Sequence, residues 1–256
     1  MKIIQFRKAK YQGFGRLEDN HVIPFLSDKN PFNSDLSEEC FEKDLQYDLT
    51  DCELLAPINP SKVVGIALNY PGVSDNIDKK DPLVFMKGSN AVISSDKRVS
   101  LPKNLGTWGE AELAFVIKKE ARNISIADVE SYILGFCVAN DMTCHNTAER
   151  DHHLARSKSQ DGFCPIGTFI DTNYNYECKE IMAYQNAELI RKGNTSDMIF
   201  KIDQILVYLS SFMTLLPGDI ILTGSPPRVR EKIYLNRNDT YTISIEDLEQ
   251  IETKFI

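Results

Sequence analysis

Glu110 and Glu112 stand two residues apart, and a third carboxylate, Asp141, closes the same Thr107 to Asp141 segment. Residues spaced by two on a β-strand project from one face. The apolar run Leu113-Ala114-Phe115-Val116-Ile117 makes 110–117 such a strand, with Glu110, Glu112, Ala114 and Val116 on one side. Ala111, Leu113, Phe115 and Ile117 make the other side wholly apolar, and the glutamate side itself continues into small apolar residues. Carboxylates sharing a covered face repel each other and lose hydration unless a cation compensates. Phe136-Cys137-Val138-Ala139-Asn140-Asp141 reads as a further strand ending in an acid. Spacing alone leaves two arrangements open: a cation site split over two strands, or a strand mouth whose glutamates stand in water. Lys87, after Leu83-Val84-Phe85-Met86, is open in the same way between a strand end reaching solvent and a lining of a cleft.

The elements around this segment are mostly strands. Met1 to Lys8 begins the chain as one, and Gly15 to Pro24 suggests a hairpin turning at Asp19-Asn20. Ser27 to Leu36 is loop-like, and the prolines of Leu54 to Pro60 mark a linker. A small N-terminal β-rich region at 1–56 and a main domain at 57–256 follow from this. Lys62 to Leu68 is a buried strand by length and β-branching, and Asn69 to Gly72 a turn. Ser125-Ile126-Ala127-Asp128 resembles a helix N-cap, with Gly135 as the stop of a short helix. His145 to Arg156 fits helix or loop, and Lys158 to Gly167 is turn-rich. Tyr184 to Leu189 sits where a hairpin belongs, and 202–213 carries the longest amphipathic helix. Pro217-Gly218-Asp219 turns the chain into the strand Ile220-Ile221-Leu222, and Thr240 to Ile245 alternates as a half-buried strand. The class is therefore mainly β with a few helices (α+β).

Composition narrows the function. The chain has 256 residues, 42% hydrophobic, and a net charge of −8 with no basic stripe, which argues against nucleic-acid and anionic-membrane partners. No segment reaches the roughly 18 apolar residues of a membrane span, and the start of the chain lacks a signal-peptide core. A cytoplasmic protein is the expectation. Six widely spaced cysteines without a Cys-x-x-Cys pair read as free thiols, and four histidines without a His-x-x-x-His pair make a zinc site improbable.

Several landmarks resemble the fumarylacetoacetate hydrolase family: Gly65 to Tyr70, Phe85-Met86-Lys87, Glu110-Ala111-Glu112, Asn140-Asp141, Lys158-Ser159-Gln160-Asp161, Asn194 to Met198, Pro217-Gly218-Asp219 and Thr223-Gly224-Ser225-Pro226. Together they span roughly residues 60 to 250. The resemblance implies mixed β-sheets rolled around the active site, usually in a homodimer. It implies Mg²⁺ or Mn²⁺ held by Glu110, Glu112 and Asp141, with a small acidic 2-oxo substrate chelated at open positions. It implies Lys158 as a stabiliser of negative charge developing on oxygen, Thr223 near the substrate's acid end, and weaker roles for Lys87 and Tyr70, with Ser225 standing in the threonine–glycine element.

Departures from the family's pattern narrow the chemistry. Hydrolase-type members carry a His and a Glu on a lid over the metal; here those positions are Val73 and Asn76, on a stretch (73–80) that is a candidate lid. Neither takes a proton from water. The usual substrate-facing arginine is His145, a turn glycine is Ala187, and a glutamine is Arg191, a candidate for pairing with a substrate acid group as is Arg228. The expectation is a metal-dependent enzyme that works through a metal-bound enolate, as an isomerase, tautomerase or decarboxylase of a 2-oxo or β-oxo acid. The alternatives are hydrolytic C–C cleavage, with His145 as a replacement base, and a ligand-binding member without turnover.

Overall fold

Two carboxylates at one end of a covered strand need a second strand to hold them in place, and the hydrogen-bond ladder supplies it. In the computed structural model, which describes residues 1–74, 80–146 and 150–256, the Ala111–Ile117 strand pairs antiparallel with Ile133–Asn140, Ala111 opposite Asn140. On its other edge it pairs antiparallel with Ile220–Leu222. Every residue of Ala111–Ile117 is buried, as an apolar run covered on both faces demands. Ile220–Leu222 continues in parallel to Val63–Ala67, whose far neighbour is the antiparallel edge strand Leu83–Lys87. Beyond Ile133–Asn140 the same sheet runs through Ile170–Asp171 to Lys2–Lys8, Tyr11–Glu18, His21–Pro24 and Tyr47–Asp48. The hairpin at Asp19-Asn20 forms as expected, with Asp19 at φ 49°.

A second sheet carries the C-terminal strands in the order Glu188–Asn194, Glu180–Gln185, Thr240–Ile245, Gln250–Phe255 and Arg98–Val99. Its first two strands are joined through Asn186 and Ala187, both in the left-handed region at φ 51° and 67°. Such a turn suits asparagine and glycine, so Ala187 is held against its preference. Ile202–Phe212 is the one α-helix of length, burying Ile202, Ile205, Leu206 and Leu209 along a single stripe. The architecture is thus open, mixed β-sheet with few helices.

Three expectations need correction. Ile126–Tyr132 is a 3-10 helix, and the Ser125 hydroxyl donates to the Asp128 carboxylate instead of accepting from a backbone N–H. Gly135 does not stop a helix; it lies inside the Ile133–Asn140 strand, where a Cβ would meet the Asp171 carbonyl oxygen at 2.5 Å. Lys158 does not sit in a turn but ends a single helical turn, Ala155–Lys158. All six cysteines are free, and among the described residues no helix is long and apolar enough to cross a membrane.

Candidate active site

The register Ala111 opposite Asn140 places Glu110 and Asp141 side by side just past the paired ends. The Asp141 N–H donates to the Glu110 carbonyl at 2.9 Å, and the Glu110 N–H to Asn140 Oδ1 at 3.2 Å. Asn140 is itself fixed by donation from its amide to Thr253 Oγ1 across to the second sheet. Glu112, 2% exposed, projects from the same strand face, and its Oε2 accepts the Gly224 N–H at 2.7 Å. Gly224 has φ 96°, and a side chain there would meet Asn69 Cβ at 2.7 Å and the Ile66 carbonyl at 3.0 Å, so glycine alone brings this N–H to the carboxylate.

Three basic side chains from separate elements close on these acids. Lys158 Nζ bridges Glu110 Oε2, at 3.1 Å, and Asp141 Oδ2 at closer range, with the Phe85 ring 4.4 Å from the ammonium. Lys87 Nζ reaches Asp141 Oδ1 at 2.6 Å and the Met142 carbonyl at 3.0 Å. Lys87 is 1% exposed, so of its two sequence readings the inward one describes the fold. Arg191 Nη2 reaches Glu110 Oε1 at 2.8 Å while Nη1 donates to the Pro226 carbonyl at 2.6 Å.

These surroundings set the protonation of each group. Burial works against the Glu110 anion, yet the Lys158 and Arg191 charges outweigh it and hold the carboxyl down at about 2. Burial, then the neighbouring Asp141 charge, pushes Glu112 well above the ordinary carboxylate range. Burial also works against the Lys158 ammonium, but Asp141 and Glu110 prevail and keep it charged. Of the three carboxylates, Glu112 is the one with no cation bonded to it directly among the described residues.

Among the described residues, no three Asp, Glu, His or Cys side chains lie close enough together to hold a metal ion as they stand. The reason is visible: an ammonium stands between Glu110 and Asp141. The donor set still fits a hard divalent cation, since three carboxylates from adjoining strand ends share one buried corner and two of them already hold a monovalent cation between them.

The other sequence candidates divide. Tyr70 is fully buried and Ser225 nearly so, and the hydroxyls of both have no hydrogen-bond partner among the described residues. Thr223 is committed to the fold: its hydroxyl donates to the Leu113 carbonyl at 2.8 Å. His145 is exposed; its backbone N–H bonds the Gly106 carbonyl, and its imidazole has no hydrogen bond or ion pair among the described residues. Val73 packs partly buried against the core, while Asn76 and the rest of 75–79 lie outside the described residues, as does 147–149. Residues not singled out from sequence also shape the site. Asn69 accepts from the Phe200 N–H and donates to the Thr223 and Phe200 carbonyls, tying the turn after Val63–Ala67 to the Gly224 segment. The Thr143 hydroxyl donates to Glu110 Oε2 at 3.3 Å. Thr143, two residues after Asp141, gives no sequence signal beyond its polarity, and Asn69 none beyond its place in the turn that follows Val63–Ala67.

Comparisons with known proteins place this geometry. The profile described as fumarylacetoacetate (FAA) hydrolase C-terminal matches residues 62–256. The chain is 32% identical over 218 residues to the mitochondrial oxaloacetate tautomerase Fahd2a of Rattus norvegicus, covering 79% of this chain and 69% of the relative. The solved 5-carboxymethyl-2-hydroxymuconate delta-isomerase from Mycobacterium smegmatis superposes with a TM-score of 0.88 at 27% identity, covering 100% of this chain and 99% of that one. The 2-hydroxyhepta-2,4-diene-1,7-dioate isomerase from Mycobacterium marinum gives 0.87 at 29% identity, over 100% and 98%. By the matched profile, by the likeness to the rat relative and by the shared fold, the chain belongs to the fumarylacetoacetate hydrolase family.

Proposed function

We propose that the chain is a divalent-metal-dependent isomerase or tautomerase of a small acidic 2-oxo compound, working through an enolate. The observation that carries this reading is the buried corner where Glu110, Glu112 and Asp141 meet the Lys158 ammonium. A divalent cation held by the three carboxylates would supply Lewis acidity toward the oxygens of a 2-oxo acid. Lys158, freed from its bridge, would lie beside the oxygen on which the enolate charge gathers, in surroundings dry enough to make that pairing strong. Lys87 stays on Asp141 and keeps that carboxylate oriented. Gly224 holds Glu112 in place in the same way from the backbone.

Tautomerisation moves one proton between carbon and oxygen and consumes no water, so it needs no group to activate water. That suits a chain with Val73 where hydrolase-type members place a lid histidine and with an exposed His145. The isomerase and tautomerase names of the relatives above support the same reading.

The test has two stages. Mg²⁺ or Mn²⁺ should raise the melting temperature of the wild type and leave Glu110→Ala unmoved. With metal present, keto–enol interconversion of oxaloacetate, followed by ultraviolet absorbance, should be accelerated. Absence of any metal-dependent shift sinks the metal part. Release of acetate and pyruvate from acetylpyruvate sinks the non-hydrolytic part.

A further inference from the structure

The loop from Arg228 to Leu235 is pinned at both ends. The Val229 N–H donates to the Ile190 carbonyl at 2.9 Å, on a hairpin strand of the second sheet. The Leu235 N–H donates to the Thr107 carbonyl at 2.7 Å, three residues before Glu110. A β-bridge ties Arg228 to Arg191, and the Tyr234 carbonyl accepts from the Gln185 amide. Lys232 belongs to this span, so its backbone has little room to wander. Its Nζ lies 3.1 Å from the centroid of the Trp108 ring and 5.7 Å from that of Tyr234, with the two rings 6.2 Å apart. Trp108 stands two residues before Glu110, so this aromatic floor adjoins the acid corner along the chain.

No carboxylate meets this amine. Among the described residues Lys232 has no ion pair and no hydrogen bond, unlike Lys87 and Lys158. Burial of the amine end and the Arg228 charge disfavour the ammonium, Glu110 favours it, and Arg191 disfavours it, so that Lys232 falls from 10.5 to about 8. The Trp108 face pulls the other way, since a ring face attracts an ammonium. At pH 7 about one lysine in three thousand is neutral at the ordinary value, against about one in ten at 8. The neutral amine is the nucleophile, and apolar cover beside another cation is what prepares a lysine for that part. The residue as a whole is exposed, so small molecules have access to it.

We infer that Lys232 is a nucleophilic amine that captures small 2-oxo acids covalently, as an imine on the Trp108 floor. The amine attacks the carbonyl carbon and a C–N bond forms. The nitrogen gives up two protons, and the carbonyl oxygen departs with them as water. No oxidant, reductant or metal enters, and hydrolysis reverses the step. The acid class follows from the local charge. Arg228 and Arg191 are neighbours of Lys232, and Glu110, the one acid among its charged neighbours, is already bonded to Lys158 and Arg191. An anionic carbonyl compound is therefore drawn in ahead of a neutral one. This capture goes beyond the isomerase reading, because it is metal-free and uses none of the three carboxylates.

The test treats the full chain with pyruvate and cyanoborohydride at pH 7 in the presence of a chelator. Reduction of the imine fixes the ligand on nitrogen, and peptide mass spectrometry reads each lysine. Lys10, exposed in the turn between Lys2–Lys8 and Tyr11–Glu18, is the internal reference. Labelling at Lys232 should exceed that at Lys10 by about tenfold or more, because the gain in neutral amine outweighs the weaker attack of a less basic one. Arg228→Gln should cut the Lys232 label several-fold and leave Lys10 unchanged. In denaturant the two lysines should label alike. With acetone in place of pyruvate, the ratio of Lys232 to Lys10 should fall. Equal labelling of the two lysines in the folded chain overturns the inference. So does an excess that survives denaturant or Arg228→Gln, or a label that settles on Lys87 or Lys158 instead. An unchanged ratio with acetone overturns the acid class. With the metal chelated, these outcomes are independent of the carboxylate corner: a chain that labels at Lys232 but shows no thermal shift with Mg²⁺ loses the metal reading alone.

Discussion

Among the described residues two aspartates are fully buried, and they are held in opposite ways. Asp219 accepts the Lys62 N–H at 3.2 Å and the Leu216 N–H at 2.7 Å, along with the Ser61 hydroxyl and the Lys62 ammonium. Its partners flank the Ile220–Leu222 strand and its parallel neighbour, so the carboxylate staples the start of that pair. Among the described residues, the Asp141 carboxylate accepts from Lys87 and Lys158 only, two long side chains carried by different elements. Backbone donors cannot leave without unfolding, whereas an ammonium on a flexible stem can be exchanged for another cation. Equal burial thus conceals different roles, and the identity of the donors separates them.

The largest expected effect comes from breaking the staple. Asp219→Ala strands two backbone N–H groups and a lysine, and should cost roughly 3–5 kcal/mol by denaturant titration, while any soluble fraction keeps its metal-dependent thermal shift. Asp141→Asn should do the reverse. Its loss of stability should be the smaller, but the metal shift should vanish and turnover of the 2-oxo acid should fall by about a hundredfold or more, the scale of losing a group that stabilises developing charge. If the two variants behave alike, the contrast between the aspartates is wrong.

A smaller effect concerns pH. Burial, then Arg228, lowers Lys232 from 10.5 to about 8, with Arg191 and Glu110 as its other charged neighbours. Because the folded value is depressed, the folded protein binds fewer protons than the unfolded chain between pH 8 and 10.5. The penalty on the fold is complete below pH 8 and is relieved as the pH rises toward 10.5. Denaturant titration between pH 8 and 10.5 should read this gain, and Lys232→Gln should remove it. The smallest effect is local. Ala187→Gly, at φ 67°, should stabilise by about 0.5–1 kcal/mol through relief of left-handed strain, read as a rise in melting temperature without change in turnover.

Much of the acid corner was legible because period-two geometry is a property of the backbone. That Glu110 and Glu112 share one strand face follows from it directly, and the run to Asp141 reads as a strand as well, whereas the cover over that face and its two neighbours come only from the fold. The helix of 202–213 and the hairpin at Asn186-Ala187 were readable for the same local reason. What stayed hidden depends on partners distant in sequence. Nothing near Lys87 says that its ammonium turns inward to an aspartate 54 residues away. Gly135 looked like a helix stop because its true constraint is the Asp171 backbone on another strand. Arg191 was noticed as a departure from a family pattern, but its grip on Glu110 and its bridge to Arg228 are products of tertiary packing.

The acid corner grows from interior strands of the larger sheet, with neighbours on both edges, whereas Arg191 rides on the outermost strand of the smaller one and Arg228 on the loop bridged to it. Replacements on an edge strand and a loop leave interior ladders intact. A lineage can therefore alter those border residues while the strands that carry Glu110, Glu112 and Asp141 keep their pairing.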